Sequence, residues 1–256
     1  MQEPCLVVEG VSLAYGDVLA LDDVSFAVDG GERVALLGPS GAGKSSLLSL
    51  LTTERRPTSG SVRLFGQPLE HLAPSERRRL RRRLGLVEQQ PPLPGALRVV
   101  HNVNAGRLGH WSTWRALSSL VRPRGLQEAQ AALDRLGIGD KLYRRTDELS
   151  GGERQRVALA RLLIQGAELV LADEPVANLD PARSFEVLAL LCGGDRTSTI
   201  GPSFGTVIVS LHDVDLARRH CDRIIGLREG RIAFDCPAGE LSAEHTERLY
   251  DLTGGP

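Results

Sequence analysis

The chain has almost no lysine: of its 31 basic side chains only Lys44 and Lys141 are lysines. Lys44 closes the string "GAGK", where an ammonium point charge on a flexible stem suits a cluster of phosphates better than a planar guanidinium does. Long apolar runs are missing as well. No stretch approaches the roughly 18 residues of a membrane span, and the start "MQEPCLVVEG" lacks a basic stretch followed by an apolar core, so neither secretion nor spanning is predicted. Four cysteines, Cys5, Cys192, Cys221 and Cys236, form no CxxC pair and no metal-ligand rhythm. They are expected to be reduced thiols of a cytosolic protein. A net charge of -1 gives no global attraction to nucleic acid or anionic lipid, so any membrane role requires another chain.

What is present is strand, then helix, then strand and helix in alternation. "CLVVEGVSLAYG" and "LDDVSFAVDGGERVALLG" run apolar or alternate between glycines, and "SVRLFG" at 61–66 is a further short strand. Together they predict a small antiparallel sheet around the first core strand. "SLLSLLTTE" has helical spacing. "APSERRRLRRRLG" at 73–85 predicts another helix with Ser75 as its N-cap, and its six arginines among residues 77–83 read as a solvated face rather than a phosphate or lipid patch. After the strand "LGLVEQ", the three prolines of "QQPPLPGALRV" at 89–99 force a loop. From about 100 to 165 the pattern is helical throughout. The segments "ELVLADEP", "ARSFEVLALL", "TVIVSLHD", "DLARRHC" and "RIIGLREGRI" then alternate strand with helix, which predicts a parallel sheet with helices on its faces. "CGGDRTSTIGPSFG" at 192–205 reads as an exposed, mobile loop.

Chemistry concentrates at strand ends. "GPSGAGKSS" at 38–46 satisfies GxxxxGK[ST] with an apolar strand before it and a helix after it, the setting a phosphate loop requires. Gly38, Gly41 and Gly43, with Ser40 and Ser46 beside them, are expected to wrap ATP phosphates, Lys44 to reach the terminal ones, and Ser45 to ligate Mg²⁺. In "ELVLADEP" two acids follow four apolar residues, where a buried parallel strand ends and ligands gather in open sheets. Asp173 suits the metal shell, leaving Glu174 to deprotonate a water attacking the γ-phosphate. Gln89 and His212 also sit just past apolar strands, so both are expected to project from the same edge toward that water, with Gln89 also a metal-shell candidate.

With "GPSGAGKSS", Gln89, "LSGGERQ" at 149–155, "LADEP", "NLD" and His212 in this order, the sequence resembles the nucleotide-binding subunits of ATP-binding-cassette transporters over its whole length. The resemblance implies an α/β fold: a P-loop NTPase (RecA-like) core with a parallel sheet, an N-terminal antiparallel β subdomain and a helical subdomain. It implies one ATPase domain over 1–256, with core and β subdomain at 1–88 and 166–256 and the helical subdomain with the signature motif at 89–165. It implies further that Tyr15 stacks on adenine, that Ser150, Gly151 and Gly152 complete the γ-phosphate site of a second copy paired head to tail, and that the loop ending at Asp180 crosses the same interface. "NAGRLGHWSTWRALSSL", "LDRLGI" and "LHDVDLARRHCDRIIGLREGRIAFDCPAGEL" are similar to the ATPase subunits of bacterial phosphonate importers. Glu88, where that family has an apolar or aromatic residue, and the long 192–205 loop depart from its pattern.

The implied protein is a peripheral ATPase on the cytoplasmic face of the bacterial inner membrane, bound to an integral-membrane permease. It would meet a periplasmic or lipid-anchored binding protein only indirectly, and nucleic acid not at all. A soluble cassette acting on nucleic acid or the ribosome would typically carry long coiled coils or two fused cassettes, which are lacking here. A scaffold of a carbon–phosphorus bond-cleaving complex, or an ATPase for another cargo, remains the alternative. Trp111 and Trp114 are expected to share one helix face, and at least one of them, with the loop from Gln89 to Arg98, to line the groove that in such importers receives the permease.

Overall fold

A computed structural model describes residues 3–88, 91–121, 124–177, 179–193 and 204–250. The first part runs β1 (Leu6–Tyr15), β2 (Val18–Val28), β3 (Arg33–Leu37), α1 (Lys44–Leu51), β4 (Ser59–Leu64), β5 (Gln67–Pro68), α2 (Pro74–Arg81) and β6 (Leu84–Glu88). Four helices follow: α3 (Val99–Asn104), α4 (Thr113–Val121), α5 (Leu126–Arg135) and α6 (Gly151–Gln165). The chain then alternates through β7 (Leu169–Asp173), α7 (Pro181–Cys192), β8 (Thr206–Leu211), α8 (Val214–His220), β9 (Arg223–Arg228), β10 (Arg231–Pro237) and α9 (Ala243–Tyr250).

Two sheets form. The N-terminal one is antiparallel, in the order β2-β1-β4-β5, with Leu6 opposite both Val28 and Leu64. The central one runs β10-β9-β3-β8-β7-β6 and is parallel except for β10. Period-two alternation divides its side chains between two cores. Ala35, Leu37, Val170, Ala172, Val207 and Val209 face the helical layer, while Val34, Leu36, Leu169, Leu171 and Ile208 face α1 and the antiparallel sheet. Strands buried on both faces read as continuous apolar runs, which is why "VALL", "LVLA" and "VIVSL" stand out in the sequence.

Two readings change. The region 100–165 is not helical throughout: α5 ends at Arg135, Gly137 just beyond it has a φ of 70° that suits glycine, and irregular chain with two short 3-10 turns, Gly139–Lys141 and Thr146–Glu148, leads from there to the start of α6. Ser75 does not cap α2. Pro74 takes the first helical position, where its fixed φ and missing N–H are best tolerated, so Ala73 becomes the cap residue and the Glu76 carboxylate accepts its N–H at 2.8 Å.

Candidate functional site

β3, β8 and β7 are adjacent and parallel, so whatever follows each strand emerges at one carboxyl edge. After β3 comes the glycine loop. Gly38 has φ 157°, and a Cβ there would lie 2.3 Å from the carbonyl oxygen of Leu227 on β9. Gly43 has φ 105° and would meet the Ala20 carbonyl at 2.7 Å. Glycine is required at both for lack of space as well as for conformation. The loop hands directly into α1, which carries no acidic residue in its first turn, so its free amides present an unopposed positive end. Gly41, Ser40 and Ser45 are exposed and Ser46 is half-buried.

Lys44 is buried, only 4% exposed. Its Nζ donates to the Gly38 carbonyl at 2.6 Å and to the Pro39 carbonyl at 3.2 Å. Burial pushes the ammonium's pKa below the ordinary lysine value, while the Glu174 and Asp173 carboxylates push it back up. That electrostatic coupling joins the glycine loop to the end of β7.

Asp173 closes β7 and Glu174 follows with a positive φ of 46°, a sparsely populated conformation of the kind that collects at functional sites. Ser210, fully buried on β8, fixes both: its hydroxyl donates to Asp173 Oδ1 at 2.7 Å and accepts the Glu174 N–H at 2.8 Å. His212, the first residue after β8, places Nε2 2.5 Å from Glu174 Oε1. An ionised carboxylate only accepts, which sets the imidazole proton on Nε2. Lys44, Asp173, Glu174 and His212 thus share one edge, as expected from their strand ends. Gln89 lies outside the described residues. Ser210 was not singled out in the sequence, although a serine inside the apolar run "VIVSL" was the signal.

The other candidates stand elsewhere. Tyr15, 39% exposed at the end of β1, has the Arg55 guanidinium 5.2 Å from its ring centroid. Ser150 caps α6: its hydroxyl accepts the Glu153 N–H at 3.3 Å, and its own N–H donates to the Glu153 carboxylate at 2.8 Å. The Ser150 amide is the main cause that holds the Glu153 carboxyl below its usual range. Gly151 and Gly152 have nothing within 4 Å of an added Cβ. One cleft of about 570 Å³ joins Gly151 to Pro91, Leu93, Pro175 and Leu179, and another of about 600 Å³ joins Ser150 and Gly152 to Leu179, Arg183 and Glu186. Neither is lined by a residue of the glycine loop. Gln155, buried on α6, donates to the Pro175 carbonyl at 3.4 Å, which ties the signature helix to the chain just after Glu174. Asp180 caps α7, accepting the Arg183 N–H at 3.1 Å. Asn178 of the same "NLD" lies outside the described residues.

Trp111 and Trp114 do not share a helix face. α4 begins at Thr113, and Trp111 belongs to the preceding turn, its N–H bonded to the Arg107 carbonyl. Trp114 is 84% exposed, with Leu117 at 54% one turn further on. Of the basic run, Arg81 binds the Thr53 hydroxyl and carbonyl, and Arg83 pairs with Glu168 while stacked over Phe65. Arg78 and Arg79 are exposed. Most of the loop read at 192–205 lies outside the described residues.

The family described as ABC transporter matches residues 21–177. The phosphonates import ATP-binding protein PhnC 2 of Pseudomonas aeruginosa is 51% identical over 246 residues, 96% of this chain and 90% of its own length. The phosphonates import ATP-binding protein PhnC of Pseudomonas putida is 46% identical over 241 residues, 94% of this chain and 88% of its own. Among solved structures, cbiO1 of Clostridium perfringens, part of the ABC transporter complex cbiONQ, matches with a TM-score of 0.79 at 27% identity, covering 98% of this chain and 96% of that one. A dimeric bacterial ABC transporter cassette matches with a TM-score of 0.74, also at 27% identity, over 91% of this chain and 98% of its own.

Proposed function

Because this chain belongs to the ABC transporter family, we propose that it is the ATP-hydrolysing subunit of an importer whose cargo is a phosphonate. The observation that carries the hydrolytic part is the Glu174–His212 pair at 2.5 Å, on the strand edge where Lys44 and Asp173 also converge. The cargo rests on the 51% identity to a phosphonates import ATP-binding protein over 96% of this chain.

In this reading the glycine loop and the first turn of α1 hold the ATP phosphates through backbone N–H groups, and Lys44 exchanges loop carbonyls for phosphate oxygens. The Asp173 carboxylate and the exposed Ser45 hydroxyl are hard oxygen donors at the same edge, which fits Mg²⁺, and Gln89 is a further proposed ligand. Mg²⁺ bound there supplies charge neutralisation across the phosphates. Glu174, oriented by His212 through its side chain and by Ser210 through its backbone, accepts a proton from the attacking water. Tyr15 offers adenine the ring face opposite Arg55. Ser150, Gly151 and Gly152 serve a second copy, since their clefts are lined by no residue of this chain's own glycine loop, and Asp180 holds the interface loop through its cap.

The chain then works beneath a membrane permease on the cytoplasmic face of the inner membrane, with a binding protein delivering cargo from the other side. Two measurements test this. Glu174→Gln should lower ATP turnover by about 10²–10⁴-fold, the usual worth of a general base, with MgATP binding retained; equal turnover sinks the assignment. Uptake of a labelled alkylphosphonate by cells deleted for this chain should return with the wild type and not with Glu174→Gln. Uptake undiminished by the deletion would contradict the cargo.

A further inference from the structure

α9 lies against β9 and β10 at the edge of the central sheet. α9 buries Leu249, and Arg228 at the end of β9 donates from Nη1 to the Arg248 carbonyl at 2.6 Å, so the final turn is tied to a strand. From that turn the Tyr250 hydroxyl donates to the His212 carbonyl at 3.3 Å. Burial pushes the phenol's pKa up, and the backbone amide of Gly38, facing the phenol oxygen, opposes that shift.

The strand register explains the placement. β3 and β8 pair in parallel as far as Leu37 opposite Leu211, so Gly38 and His212 are the next residues beyond the last rung. There the strands part, Gly38 turning at φ 157° into the phosphate loop and His212 reaching across to Glu174. An amide and a carbonyl stranded at a splayed ladder end need partners. A phenol, donor and acceptor in one group, serves both. Between this helix and the outer wall of the loop is a cavity of about 160 Å³, lined by Pro39, Ser40, Ala42, Leu249 and Tyr250. On that side the loop is therefore not braced by continuous side-chain packing, and the hydroxyl contact is the specific tie.

We infer that Tyr250 is a positioning residue: its hydroxyl replaces the missing rung and fixes the separation of the phosphate loop from His212, keeping the imidazole on Glu174. The inference rests on reading Glu174 and His212 as the hydrolytic pair. It acts through backbone atoms of the two loops, so removing it should loosen the geometry of hydrolysis more than the capture of phosphate, which the loop amides and Lys44 provide.

Tyr250→Phe in the full chain keeps the ring and removes only the hydroxyl. Turnover of MgATP should fall about fivefold, the worth of one ordinary hydrogen bond, while affinity for a fluorescent ATP analogue stays within about twofold. Placed on His212→Ala, the same change should cost nothing further, because the two act through one contact. Unchanged turnover, a parallel loss of turnover and affinity, or the same fivefold loss on His212→Ala would each overturn the inference. Absent wild-type turnover would remove the hydrolytic reading itself and the inference with it. Normal turnover shared equally by wild type and Tyr250→Phe removes the inference alone.

Discussion

At the scale of single residues the site holds a charge where the fold alone would place none. Lys44 is 4% exposed, and burial dominates the causes that lower its pKa. A lysine whose folded pKa lies below its unfolded value binds fewer protons when folded, so stability rises as pH climbs from that depressed value toward the ordinary lysine range. Lys44→Met should therefore raise the urea midpoint at neutral pH and flatten its rise under alkaline conditions, while abolishing retention on ATP-agarose. A midpoint below wild type at neutral pH would contradict this. Ser210 is the opposite case, a hydroxyl satisfied on both sides. Ser210→Ala should cost about 1–3 kcal/mol in urea unfolding, because it strands the Glu174 amide, and should lower turnover, since that amide sets the backbone from which the base projects. Lys44, Asp173 and Glu174 could be read from the sequence because a motif and an apolar strand locate them without tertiary knowledge. Ser210 was visible only as one polar letter in a strand, and Tyr250 carried no local signal at all, its partners Gly38 and His212 being distant in sequence.

At the scale of elements, caps decide where helices begin, and sequence patterns locate them to within a residue or two. Ser75 was the obvious cap for α2, but Pro74 begins the helix and Glu76 reaches back to Ala73. The tryptophan pair failed similarly: i, i+3 spacing implies one face only if both residues are in the helix, and α4 starts between them. Ser150 shows a sequence reading that was incomplete. It was expected to serve a partner's phosphate, and it also closes a capping box with Glu153 on its own helix. Ser150→Ala should cost about 1 kcal/mol through the lost cap, measured by thermal unfolding. Ser150→Arg should cost a similar amount and in addition block ATP-dependent pairing, which Ser150→Ala should leave largely intact. Equal pairing by the alanine and arginine variants would argue against a phosphate approaching that helix start from another chain.

At the scale of the whole molecule, the two phosphate-shaped loops line different clefts. The loop at Gly38–Ser46 opens at the carboxyl ends of β3, β8 and β7, whereas the start of α6 opens into clefts lined by Leu179, Pro175 and Arg183. The parallel order of the central sheet and the small antiparallel sheet at its side were both readable from alternation and apolar runs, because burial on both faces leaves a plain pattern. The separation of the two loops was not, since no periodicity encodes which way a helix start faces. In the proposed closed state each ATP lies between the glycine loop of one copy and Ser150, Gly151 and Gly152 of the other, so binding should join two chains and hydrolysis should release them. The most direct measurement is the light-scattering mass of Glu174→Gln, which retains ATP, with and without MgATP. Adding MgATP should change the 27.6 kDa single chain to twice that mass, an increase lost again in Ser150→Arg. A mass that stays at one chain under saturating MgATP, or that doubles equally with Ser150→Arg, would contradict it.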